Sequence, residues 1–194
     1  MIAENELFPT MGGECVINSL ANLLLIKFGD WQTGIDVIEK SDNHPLVIRE
    51  NLSLEGRGVH PLVIPKVVSD LTNGKYKGTS FFVDPHICGN DIERTIYADL
   101  KYVVSSEIMG RTIDSAISCL DSESISPISA LEREDYFPHV LFGSDSSQYY
   151  RDVRCGDHAV VRINEDLYVD DGAFVRHDGQ FFRQISGILE VEKS

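Results

Sequence analysis

Between Cys15 and Phe28 the chain is apolar at nearly every position, and the few polar residues fall on one line. Ile17, Leu20, Ala21, Leu24 and Phe28 recur at helical spacing, and Val16, Leu23, Leu25 and Ile26 fill most of the remaining circumference. A helix apolar almost all round belongs in an interior rather than on a surface. The pattern therefore predicts a buried helix over 15–28, with Gly12-Gly13 as a tight turn before it and Gly29 as its C-terminal stop. Its one polar stripe is Cys15, Asn18, Ser19 and Asn22.

Further on, the helical period returns over Gly34–Lys40 and over Pro61–Leu71, the latter regular from Pro65, a first-turn position, and ended by Asn73-Gly74. It returns again over Ile92–Ile108 and Thr112–Leu120. Thr79–Val83 reads as a short strand. After residue 120 the pattern changes to short β-type runs. Ile125–Leu131 holds a strand candidate. A polar loop over Ser144–Gly156 follows, then runs at His158–Ile163, Leu167–Asp170, Ala173–Arg176, Gln180–Ile185 and Ile188–Val191. Asn164-Glu165 reads as a turn, and Asp178-Gly179 between alternating runs as a hairpin. Phe137-Pro138-His139 reads as the start of a loop. The class is α+β: one domain over 1–194, with a mainly helical lobe over 1–122 and a mainly antiparallel β lobe over 123–194.

Composition limits the functions available. The chain has 194 residues, with 17 Lys and Arg against 31 Asp and Glu, a formal net charge of −14. A chain of this length buries roughly 70% of its unfolded surface and needs no metal or disulfide to fold. The acid excess leaves no basic stripe for a phosphate backbone or an anionic membrane. The expected partner is a peptide or protein, with no nucleic acid, no membrane and no cofactor. The longest apolar stretch, Leu20–Ile26, is interrupted by Asn22 and is far shorter than the roughly 20 residues a spanning helix requires. Glu4 and Glu6 stand where a signal peptide would carry basic residues. The reading is a cytoplasmic protein, or one delivered into a host cell without a conventional signal peptide. Its four cysteines, 15, 88, 119 and 155, have no paired CxxC spacing and read as free thiols.

A thiol at the start of a buried helix is placed for chemistry. Unsatisfied N–H groups and the helix dipole favour an anion there, hence the thiolate. Such a nucleophile needs a partner that moves protons near neutral pH, which is the province of histidine. His158 opens the first clear strand of the β lobe, with His139 as the alternative base. The imidazole needs an acceptor on its second nitrogen, and the next strand ends in Asp170 and Asp171. Alternation along a strand lets only one of the two face His158. Gly13 and Glu14 beside the thiol, and Asp157 beside the imidazole, are candidates for contacting substrate. His44, His60 and His177 read as surface or turn residues. His86, Cys88, Cys155 and His158 make a rival constellation, a tetrahedral zinc site, although the usual pairing of ligands is missing.

The order Cys at a helix start, His opening a strand, acid at the end of the next strand resembles the papain-like cysteine peptidases. Most similar is the bacterial branch that clips double-glycine leaders, with its peptidase-like relatives. There the Cys follows an acidic residue, as Cys15 follows Glu14. The His opens a run such as His158-Ala-Val-Val, and the acid follows one such as Leu167-Tyr-Val-Asp-Asp171-Gly. The resemblance implies a central Cys-bearing helix packed on the antiparallel sheet, a Cys15–His158–Asp171 triad, and thiol hydrolysis of an amide in a peptide or protein. Deamidation or acyl transfer would use the same triad. Two positions depart from the family. Pro9 stands six residues before the Cys, where the family carries a Gln that binds the oxyanion, and Val16 stands where Gly is usual. One oxyanion donor is worth roughly 2.7–4 kcal/mol, so a catalytically inactive binding module is the alternative.

Overall fold

The central helix forms where the apolar pattern puts it, Cys15–Phe28 (α1). In the computed structural model, which describes residues 2–9, 15–48, 58–59, 63–82, 125–127, 137–144, 158–179 and 181–194, Ile17 to Leu24 are buried on every side. Burying the polar stripe requires partners for it. Ser19 Oγ donates to the Ala159 carbonyl at 3.0 Å. Asn22 accepts from the Phe8 N–H and donates to the Phe8 carbonyl, both at 2.9 Å. Gly29, at φ +67°, closes the helix with its N–H on the Leu25 carbonyl.

Two further α-helices are described, besides a single 3-10 turn over Glu4–Glu6. Trp31–Ser41 (α2) is capped by Asp30, which accepts from the Thr33 backbone and hydroxyl. Ile64–Leu71 (α3) carries Pro65 in its first turn and ends at Asn73 and Gly74, both at positive φ. The expected helices over 92–108 and 112–120 lie outside the described residues.

Val47–Ile48 (β1) and Gly58–Val59 (β2) form a small antiparallel ribbon. The remaining strands are Tyr76–Phe82 (β3), Ile125–Pro127 (β4), His139–Ser144 (β5), His158–Arg162 (β6), Leu167–Asp170 (β7), Ala173–Arg176 (β8) and Gln184–Lys193 (β9). They make one sheet in the order β4-β3-β9-β5-β6-β7-β8. Every neighbouring pair is antiparallel except β3 with β4. The class is α+β. Alternate residues of the inner strands, among them Val140, Phe142, Ala159, Val161 and Leu189, join α1 in the main core. Leu141, Val160, Tyr168 and Ile188 form a second cluster with Phe182 on the opposite face.

The sheet corrects three sequence expectations. A strand, β5, begins at His139, where a loop was expected. Its central residues are buried on both faces, so no polar alternation marks it. The runs at 180–185 and 188–191 are replaced by one continuous strand, β9. Asp178-Gly179 is not a hairpin either. β8 is the sheet edge, and after it the chain returns to the interior position between β3 and β5. The true two-residue hairpin is Asp171-Gly172, with φ of +50° and +74°, joining β7 to β8.

Candidate active site

Cys15 is the first residue of α1, a free thiol of intermediate exposure. His158 is the first residue of β6, opposite Gly143 of β5. The bond from Ser19 to the carbonyl of Ala159, the residue after His158, ties the helix bearing the sulfur to the strand bearing the imidazole. His158 Nε2 lies 2.9 Å from Asp170 Oδ1. The Cys15 side chain also acts on the ring, favouring its charged form, and with Nε2 facing Asp170, Nδ1 is the nitrogen left for the sulfur.

These partners set the charge on the ring. The hydrogen bond that His158 donates to Asp170, then the interaction with Cys15, push the His158 pKa up to about 10, against the opposing effect of burial. His158 is therefore an imidazolium at neutral pH. Its side chain is 35% exposed, so solvent reaches the ring. Phe182 meets it edge to face at 6.0 Å between centroids. Phe182 occupies the space where Gly143 lacks a side chain: a Cβ at Gly143 would stand 2.2 Å from the phenyl ring.

The carboxylate at the imidazole is thus Asp170, and the preference for Asp171 is corrected. Arg162 pairs with Tyr168 across β6 and β7. Residues 158, 160 and 162 therefore share a face with 168 and 170. Asp171 has already left the strand, in the left-handed conformation that the turn demands. His139 lies at the other end of β5, paired with Arg162. That is four residues, about 13 Å, along the sheet from His158. Its ring stacks on Phe137, and the structure does not bring it to the thiol. His44, read as a surface or turn residue, has its side chain 8% exposed, with Nε2 3.2 Å from Asp70.

Gly13, Glu14 and Asp157 lie outside the described residues, as do His86, Cys88 and Cys155 of the zinc constellation. Among the described residues no group of three or more His, Cys, Asp or Glu side chains is arranged to hold a metal ion. No helix among them is long and apolar enough to cross a membrane. Sequence reasoning missed the neighbours Gly143 and Phe182. It had a usable signal for the acid, because Asp-Gly is the preferred pair of a type I′ turn and so pushes the strand end back to Asp170. Comparison with family models, curated proteins and solved structures found no match.

Proposed function

We propose that the chain is a cysteine hydrolase acting on an amide in a peptide or protein, with Cys15 as nucleophile, His158 as proton carrier and Asp170 as the orienting acid, in a papain-like arrangement. The observation that carries this reading is the shared imidazole: one ring meets Asp170 through Nε2 at 2.9 Å and has Cys15 as the other side chain that favours its charged form. An imidazolium beside the sulfur favours the thiolate. The thiolate adds to the carbonyl carbon. The Cys15 N–H, outside the intrahelical ladder at the start of α1, faces the developing oxyanion. His158 gives its proton to the leaving amine as the C–N bond breaks, and a thioester remains. Neutral His158 then takes a proton from water, whose oxygen displaces the sulfur and releases the acid. Another amine in place of that water makes the same site an acyltransferase, and a glutamine side-chain amide as substrate makes it a deamidase. Asp170 holds the ring through all these steps.

Iodoacetamide labelling with mass mapping tests the proposal. Cys15 is expected to react faster than Cys88, Cys119 and Cys155 at about pH 6, where an unassisted thiol is protonated. Equal rates at the four sites would remove the activated thiolate and the mechanism with it.

One observation favours the second reading, an inactive module that binds a peptide. Pro9 has neither an N–H nor a polar side chain, and its Cα lies against Gly172, so it cannot serve as an oxyanion donor. A covalent adduct between wild-type protein and a peptide aldehyde, absent in Cys15→Ala, separates the two readings in favour of the enzyme.

A further inference from the structure

The segment Leu7–Pro9 is held at three points. Asn22, 2% exposed in the middle of α1, spends both ends of its amide on the backbone of Phe8. An apolar side chain would pack at this buried position without needing partners, so the bonds to Phe8 are what the amide adds. The Phe8 ring fills the space beside Gly34, where a Cβ would stand 2.8 Å from it. It also stacks on Trp31 at 6.4 Å. What this strap touches on its far side is the β7–β8 turn. A Cβ at Gly172 would stand 2.7 Å from the Pro9 Cα and 3.1 Å from the Phe8 carbonyl oxygen. That oxygen is the one to which Asn22 donates. Gly172 is separated from Asp170 only by Asp171.

We propose that Asn22 is a positioning residue for the candidate site: by fixing the Phe8–Pro9 strap against Gly172, it holds the Asp171-Gly172 turn and sets the reach of Asp170 to His158. The inference rests on the hydrolase reading above. The helix that carries the nucleophile at its first residue then also governs, two turns further on, the placement of the acid. The strap acts through the turn and touches none of the reacting groups.

The test is the titration of His158, followed by NMR in the full-length protein labelled with carbon-13 histidine and assigned with His158→Gln. Asp170→Asn is the reference and lowers the midpoint. Asn22→Ala, which frees the strap, and Gly172→Ala, which pushes the turn off it, are expected to lower the midpoint by about one pH unit or more while cooperative melting is retained, because the carboxylate no longer favours the charged ring. If either variant fails to fold, Pro9→Gly, an exposed change that loosens the strap, is read in its place with the same expectation. Folded variants whose midpoints match the wild type overturn the inference while Asp170→Asn still shifts. An unshifted Asp170→Asn instead overturns the reading of the site itself.

Discussion

Asp170 Oδ1 stands 2.9 Å from His158 Nε2, while its neighbour Asp171 lies in the turn at φ +50°. Two adjacent carboxylates are thereby assigned to different tasks, one to the imidazole and one to the hairpin. Asp170→Asn removes the anion that favours imidazolium and, under the proposed hydrolase reading, is expected to lower amide hydrolysis about a hundredfold or more, the range of general acid–base effects. Asp171→Asn keeps a side chain that tolerates positive φ and leaves activity within about twofold. Steady-state rates of the two variants on one peptide substrate check this, and equal losses would contradict the assignment.

His158 also makes stability depend on pH. Its pKa rises from 6.5 in the free group to about 10 in the fold. Above pH 6.5 the unfolded chain has released a proton that the native chain retains. Stabilisation from this group is therefore complete below pH 6.5 and is lost progressively as pH rises through about 10. Urea unfolding midpoints at intervals across that window should fall for wild type. They should fall less for His158→Gln, which has no proton to lose there.

A second charged cluster supports the fold away from the site. Burial disfavours the charge on Asp30, but hydrogen bonds from Lys75, Tyr76 and Thr33 outweigh it and hold the carboxyl well below the usual carboxylate range. Burial, then the bond to Asp30, push the Tyr76 hydroxyl up to about 12. Tyr76 Oη lies 2.7 Å from Asp30 Oδ2 and Lys75 Nζ 2.5 Å from the same oxygen, tying the cap of α2 to β3. Tyr76→Phe keeps the ring and removes one charge-assisted bond, a loss of about 1.5–3 kcal/mol in urea unfolding. The Asp30 contribution is present above pH 3.8 and is lost as pH falls, so the difference between Tyr76→Phe and wild type should narrow in acid.

What the sequence made legible, and what it did not, follows from where the interactions are local. The bounds of α1 and its glycine stop are local, and they stand as read. The strand starting at His158 and the turn at Asn164-Glu165 are local too. The placement of β9 between β3 and β5 is not, because pairing partners leave no mark on a strand buried on both faces. β5 went unseen for the same reason. The choice between Asp170 and Asp171 was decidable from turn chemistry, since the Asp-Gly pair claims its own two positions. The strap could not be read at all. Nothing in Phe8-Pro9 announces Asn22 or Gly172, which meet it only in three dimensions.

The contact between Gly143 and Phe182 gives the most severe packing test beside the site. Gly143 pairs with His158, and Phe182, 2% exposed, lies over it. A methyl group at Gly143 would stand 2.2 Å from the phenyl ring, far inside van der Waals contact, so the ring must leave its place against the imidazole. Overpacking of this kind costs about 1–3 kcal/mol. Phe182→Ala empties the same space and costs about 3–5 kcal/mol. The two substitutions act on one volume, so their effects should not add. The double variant Gly143→Ala/Phe182→Ala is expected to be more stable than the sum of the single losses allows, because the clash has been removed before the methyl group arrives. Denaturant unfolding of the four proteins measures the coupling, and strict additivity would show that Phe182 does not rest on Gly143.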